Sequence, residues 1–157
     1  VKTAGVLLAV IIIAAASSFA WILTWERVPQ ITANWVLTMV SSPGVFLLLI
    51  NIFLLIVGMF IEGNAAMLVL IPIFMPMVQA LGINDVHFGM VFIFNMAVGS
   101  LTPPMGTVMF TTCSITGAKI GDYIRESVPF YLVLLFCLIL ITYVPQISLF
   151  LPNLLFN

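Results

Sequence analysis

All the charged side chains of this sequence fall at five places: Lys2, the pair Glu26-Arg27, Glu62, Asp85, and the group Lys119, Asp122, Arg125 and Glu126. Between them the chain is uncharged, from Val28 to Ile61 and from Val86 to Ala118 without interruption. Charged residues make up 6% of the 157, against roughly 25% in an ordinary soluble domain. Hydrophobic residues make up 64%, which leaves too little polar surface to clothe a globule in water. A soluble enzyme or a free-standing binding domain is excluded. So is a nucleic-acid binder, which needs clustered Lys and Arg. The solvent for most of the chain is lipid, and the predicted class is an all-α integral membrane protein.

The charges then act as punctuation. Ala4 to Trp25 is an apolar run long enough to cross the ~30 Å hydrocarbon core as a helix, with Trp21 and Trp25 as interfacial anchors at its end. Val28–Ser42 is too polar to span. Its Ile31, Trp35 and Met39 recur every fourth residue beside Gln30, Asn34 and Thr38, the pattern of a short amphipathic arm lying at the interface. Gly44–Ile61 is apolar apart from Asn51 and Gly58, Glu62-Gly63-Asn64 is a polar turn, and Ala65–Ala80 is apolar with Pro72 and Pro76. Two limbs short for a span about a polar turn describe a tight helical pair or a re-entrant hairpin, and their length favours the hairpin. Gly82–His87 is a loop with the one histidine, expected to be solvated. Gly117–Ser127 reads as a polar interfacial turn, and Val128–Leu151 as a second ordinary span. Lys and Arg are too few to fix orientation. The chain opens at Val1, with no charged start and cleavage signal, and reads as a piece of a longer or processed protein.

The interval Val86–Thr116 is one span's worth of chain broken at Thr102-Pro103-Pro104. Neither proline has an amide hydrogen, so the carbonyls of Gly99 and Ser100 lose their usual donors. Each proline also disfavours helical geometry in the residue before it. An unsatisfied backbone group in lipid costs several kcal/mol unless something binds it. One solution is a kink rescued by the hydroxyls of Ser100, Thr102 or Thr107. The other is a discontinuous helix, with Gly99 and Gly106 flanking an opened loop whose carbonyls hold a hard cation such as Na⁺. The half-helix from Met105 would then turn its amides on an anion in the gap. Gly58 sits among the last carbonyls of the preceding helix, where it serves either close helix packing or the same site.

Other polar residues support weaker claims. Glu62 is either an intramembrane carboxylate at a hairpin tip or a water-facing turn residue. Asn51 and Asn95 fit interhelical hydrogen bonds better than ligand contacts. Cys113 and Cys137 have no metal or redox spacing and read as packing residues. With one histidine and no nucleophile or metal motif, the chain is not expected to be an enzyme. A non-transporting membrane scaffold or assembly subunit is the competing class, but it has no use for tandem prolines in mid-membrane. No repeated charged ring or filter sequence points to a channel.

Taken in order, Gly58-Met59-Phe60-Ile61-Glu62, Ile71-Pro72-Ile73-Phe74-Met75-Pro76, Gly82-Ile83, Phe88-Gly89 and Gly99-Ser100-Leu101-Thr102-Pro103-Pro104-Met105-Gly106 resemble the C-terminal part of the large membrane subunit of tripartite ATP-independent periplasmic (TRAP) transporters, the DctM-like permeases. The resemblance covers nearly the whole chain, and Thr-Pro-Pro-x-Gly is its most specific piece. It implies half of an inverted-repeat secondary transporter, with a re-entrant helical hairpin and a Pro-broken transmembrane helix. Residues 1–42 would be a scaffold helix with its arm, 43–117 the transport-domain hairpin and broken helix, and 118–157 the interfacial turn and final helix. It further implies an inner-membrane, Na⁺-driven importer of small organic acids (C4-dicarboxylates, sialic acids or sugar acids) working as an elevator. The expected partners are membrane lipid, a small DctQ-like membrane subunit, a DctP-like periplasmic binding protein and the remaining N-terminal part of the large subunit. Matching residue by residue, one sodium site of the family falls on Gly58, Gly99, Thr102 and Met105, mainly through backbone oxygens, with Pro103, Pro104 and Gly106 making the helix break.

Overall fold

The computed structural model describes residues 2–40 and 42–156. Among these described residues eight helices follow one another: α1 (Lys2–Trp25), α2 (Val28–Met39), α3 (Pro43–Phe60), α4 (Gly63–Ala80), α5 (Asp85–Leu101), α6 (Thr107–Thr116), α7 (Ile120–Tyr143) and α8 (Pro145–Phe156). Among the described residues, α3, α4 and α7 are each long and apolar enough to cross a membrane. The chain is a helical, multi-pass membrane protein.

Most helix ends follow from local sequence. Pro29, Pro43 and Pro145 stand in the first turns of α2, α3 and α8, where a missing amide costs nothing. Asn84 caps α5, its side-chain oxygen accepting from the amides of Val86 and His87. Gly117, at φ 71°, closes α6 in the left-handed conformation that glycine adopts without strain. Arg27, at φ 55°, turns the α1–α2 corner in the same region, and Trp21 and Trp25 stack just before it with ring centroids 5.5 Å apart.

Three expectations need correction. The polar stretch Gly117–Ser127 is a turn only as far as Lys119, because Ile120–Ser127 already forms the first turns of α7. Asp122 in that first turn suits the helix's positive end, so its charge marks a helix start. Nor is Val128–Leu151 one span: α7 stops at Tyr143, and Pro145 opens α8. The limbs about Glu62 are not short. The prolines at 72 and 76 leave α4 continuous, so α3 and α4 have 18 residues each, or about 27 Å at 1.5 Å per residue. Limb length therefore does not separate a re-entrant pair from a crossing pair.

The core lies where α3, α4 and α5 meet. Phe53 of α3, Phe74 of α4, and Phe88 and Phe92 of α5 form a column of edge-on contacts with centroids 5.9, 6.2 and 6.2 Å apart. Leu54, Val78, Phe88 and Phe92 are sealed within it or beside it. The arm α2 lies on α4 through its small residues Pro29 and Ala33. Its stripe of Ile31, Trp35 and Met39 faces outward, as does most of the apolar surface of α7.

Candidate functional site

Asn51 bonds Asn95, and seven residues further along α3 Gly58 meets Gly99, so α3 and α5 run in the same direction and cross at the two glycines. A Cβ placed on Gly58 would lie 3.1 Å from the Cα of Gly99. One placed on Gly99 would lie 2.7 Å from the Cα and 3.2 Å from the carbonyl oxygen of Gly58. Small residues are what allow two backbones to come this close within a membrane. The ladder of α3 closes with the Ile61 amide donating to Val57 O at 2.8 Å, so the Gly58 carbonyl is the first beyond it.

Past Gly99 the helix opens. Residues 102–106 form a connector between α5 and α6, and hydroxyls repair much of the backbone around it. The Thr102 hydroxyl donates to Val98 O at 2.7 Å, the Ser100 hydroxyl to Ala97 O at 2.8 Å, and the Tyr131 hydroxyl of α7 to Leu101 O at 2.7 Å. The Gly99 carbonyl is not orphaned: it accepts from the Thr102 amide at 2.9 Å, because the last turn tightens when its usual donor is a proline. Its second lone pair stays open. The carbonyl of Ser100, whose usual donor is replaced by Pro104, folds over Gly106. A Cβ at Gly106 would stand 2.6 Å from Ser100 O and 2.8 Å from Thr102 O, so the connector closes around a residue without a side chain. Rescue by hydroxyls and an opened, oxygen-lined loop thus coexist here.

The amino end of α6 completes the break. Gly106 offers no side-chain cap, and the first closed bond is Phe110 N to Gly106 O at 3.0 Å, so the amides of Thr107, Val108 and Met109 precede the ladder. A cleft of about 260 Å³ lies over this end, lined by Thr107 and Val108 of α6, Ala97 and Ser100 of α5, and Glu62, Gly63 and Asn64. Two helix amino ends therefore share one cleft, and they differ. Glu62 is exposed and caps α4, accepting from the amides of Asn64 at 3.0 Å and Ala65 at 3.2 Å. The α6 end has no such cap.

Of the residues singled out in the sequence, Gly58 and Gly99 are in contact, Thr102 and Gly106 lie in the connector next to Gly99, and the side chain of Met105 is 55% exposed. Among the described residues no group of three or more His, Cys, Asp or Glu stands together. A cation at this crossing would be held by neutral oxygens. Gly58 O, the open lone pair of Gly99 O and the Thr102 hydroxyl oxygen suit a hard monovalent ion, and with no side chain on either glycine only backbone stands between these oxygens at the buried crossing.

Beneath the crossing runs a buried polar seam. The Asn95 amide donates to Asn51 Oδ1 at 2.7 Å and to Val91 O at 2.8 Å, Asn51 donates to the Thr142 hydroxyl at 2.8 Å, and Thr142 donates to Leu138 O at 2.7 Å. The expectation of an interhelical role for Asn51 and Asn95 is met, and α7 is included. His87, expected in solvent, is 3% exposed, with Nδ1 2.7 Å from the Ser148 hydroxyl and Nε2 3.2 Å from Thr142 O. The cap at Asn84 starts α5 early enough to carry His87 into the bundle. Thr142, Ser148 and Tyr131 gave no local sequence signal, since each takes its meaning from a helix distant in the chain.

Residues 1–147 match the family model described as tripartite ATP-independent periplasmic transporter, DctM component. The C4-dicarboxylate TRAP transporter large permease protein DctM of Pseudomonas aeruginosa is 46% identical over 142 residues, covering 90% of this chain and 33% of the relative. The sialic acid TRAP transporter large permease protein SiaM of Vibrio cholerae is 40% identical over 136 residues, 87% of this chain and 32% of the relative. The C4-dicarboxylate TRAP transporter large permease protein DctM of Rhodobacter capsulatus is 39% identical over 144 residues, 92% of this chain and 33% of the relative. The chain thus spans about a third of the length of these relatives.

Proposed function

The chain belongs to the DctM component family of tripartite ATP-independent periplasmic transporters, a transporter family and not an enzyme family, and from that premise we propose that it forms part of the large membrane subunit of a sodium-coupled importer of small organic acids. The observation that carries the reading is the crossing of Gly58 and Gly99 beside the α5–α6 break. It is a bare-backbone contact where the Gly58 carbonyl lies beyond the α3 ladder and the Gly99 carbonyl keeps one open lone pair, one connector away from an uncapped helix amino end.

In this reading Na⁺ is carried on the oxygens of Gly58, Gly99, Thr102 and Met105, the last through its carbonyl. Pro103 and Pro104 keep α5 from continuing, and Gly106 lets the connector fold back on it. The amides at the start of α6 take a carboxylate of the organic acid in the cleft, where the helix dipole favours negative charge. Coupling follows if the ion favours the arrangement in which crossing, connector and cleft are assembled together. The substrate class is drawn from relatives whose names specify C4-dicarboxylate and sialic acid. Family membership supports a small membrane subunit and a periplasmic binding protein as partners, the bacterial inner membrane as location, and movement of residues 43–117 against the flanking segments as an elevator.

The test is uptake of a panel of organic acids by the complete permease, reconstituted in liposomes with its small subunit and binding protein, with and without an inward Na⁺ gradient. Uptake that requires both Na⁺ and the binding protein is expected. Na⁺-independent uptake would remove the sodium site, and no uptake from folded protein across the panel would leave a scaffold role.

A further inference from the structure

We propose that Asn95 is a positioning residue for the cation site: its side-chain bond to Asn51 sets the register in which Gly99 is pressed against Gly58. The proposal rests on the sodium reading above for its effect on transport, though not for its effect on packing.

The first support is geometric. Asn95 lies four residues before Gly99, one helical turn on the same face of α5. Asn51 lies seven residues before Gly58, two turns on the same face of α3. The 2.7 Å bond between the two amides is therefore a polar cross-contact beneath the glycine crossing, below the close approach of Met96 to Gly58. Apolar packing between two parallel helices tolerates small slides and rotations; a directional contact narrows that freedom. Hydrogen bonds restrict geometry in a way that apolar packing does not.

The second support is energetic. Asn95 is wholly buried, and its Oδ1 has no hydrogen-bond partner among the described residues. A leucine would fill the space without the penalty of a buried, unmet acceptor. The amide is thus a poor choice for packing alone. The use it does have is donation: its NH₂ group meets Asn51 Oδ1 and, at 2.8 Å, Val91 O one turn back, which fixes the side-chain torsions and aims the donor across the interface.

The third support is where the bond leads. Asn51 passes its own amide to the Thr142 hydroxyl near the end of α7, at 2.8 Å. The end of α5, where the connector begins, is held by α7 as well, through Tyr131 and Leu101 O. The glycine crossing is thus bracketed by one seam reaching α7 from below and one bond reaching it from above. Asn95 is the member of the seam nearest Gly99 in sequence. Loss of its bond should misplace Gly99 O relative to Gly58 O more than it disturbs the α6 amides of the organic-acid cleft, which Asn95 itself does not line although Met96 and Ala97 beside it do.

The experiment uses the complete permease with its partners in liposomes, comparing wild type with Asn95→Leu, Asn51→Leu and the double variant. Asn51→Leu removes the same bond from the other side should Asn95→Leu fail to insert. Each single variant is expected to raise the half-saturating Na⁺ concentration about tenfold. The maximal rate and the organic-acid half-saturation at saturating Na⁺ should stay within twofold. The double variant should be no worse than Asn51→Leu, which removes the Asn51–Asn95 bond together with the bond to Thr142, because the shared bond is lost only once. An unchanged Na⁺ requirement in inserted protein overturns the proposal, as does a parallel loss of rate and affinity for both solutes. If wild-type uptake proves independent of Na⁺, the sodium reading is what fails. The positioning claim is then decided by a melting-temperature cycle of Asn95→Leu with Gly58→Ala in solubilised permease: coupled shifts uphold it, and additive shifts overturn it.

Discussion

Gly99 faces Gly58 so closely that a side-chain carbon on the first would stand 2.7 Å from the Cα and 2.8 Å from the carbonyl carbon of the second. Neither neighbour is the end of a flexible side chain, so backbone must move to admit a methyl group. Overpacking of this kind costs roughly 1–3 kcal/mol. The reverse substitution is milder, since a Cβ on Gly58 meets the Gly99 Cα at 3.1 Å. Gly99→Ala is therefore expected to lower the melting temperature of the permease and weaken Na⁺-dependent uptake more than Gly58→Ala. Equal effects, or none, in a melt and an uptake assay would contradict the crossing.

The two prolines are not equivalent. Pro103 stands where an amide would reach Gly99 O, but that carbonyl already accepts from Thr102 at 2.9 Å. Pro104 stands where an amide would reach Ser100 O, which instead folds over Gly106. Pro104→Ala should let α5 gain a bond and draw Ser100 O away from the connector, raising half-saturating Na⁺ about tenfold, while Pro103→Ala changes it less. Sodium titrations of uptake by the two variants, run side by side, check the order.

Much of this was legible in the sequence because it depends on local rules. Charge spacing marked where α1 and α3 end, though not where α7 begins, and the tandem prolines marked the break between α5 and α6. What stayed hidden was decided by partners far along the chain. The Gly99 carbonyl is satisfied by a tightened turn that proline arithmetic alone does not foresee. His87 reads as a loop histidine beside Asp85 until α7 and α8 supply Thr142 O and Ser148. Pro72 and Pro76 look like breaks of the same kind as Pro103-Pro104, yet α4 runs through both. They stand four residues apart, so every residue just before one of them still has helical neighbours on both sides. The tandem pair removes two consecutive donors at once.

Tyr131 of α7 bonds the last residue of α5, just before the connector, through the 2.7 Å bond from its hydroxyl to Leu101 O. Tyr131→Phe keeps the ring and deletes that donor. The half-buried carbonyl then loses its partner, at about 1 kcal/mol. The expected outcome is a melting temperature lowered by a few degrees, with raised hydrogen exchange at residues 101–106. Exchange unchanged in that segment would show that α7 does not hold it.

Glu62 separates the two helix amino ends that share the cleft. Its carboxylate caps the α4 end through Asn64 and Ala65, and the same negative charge faces any anion bound at the uncapped α6 end. Glu62→Gln keeps a side-chain acceptor for the α4 amides and removes the charge. Glu62→Ala removes both, at a cost near 1 kcal/mol for the lost cap. The glutamine variant should therefore melt close to wild type and bind organic acids more tightly, a dianion gaining more than a monoanion. The gain should shrink as ionic strength rises, since the repulsion acts across a cleft open to solvent. The alanine variant should share the tighter binding but melt lower. Affinity measured at two salt concentrations for a mono- and a dicarboxylate tests all of this. No tightening in the glutamine variant at low salt would place the carboxylate somewhere other than the start of α6.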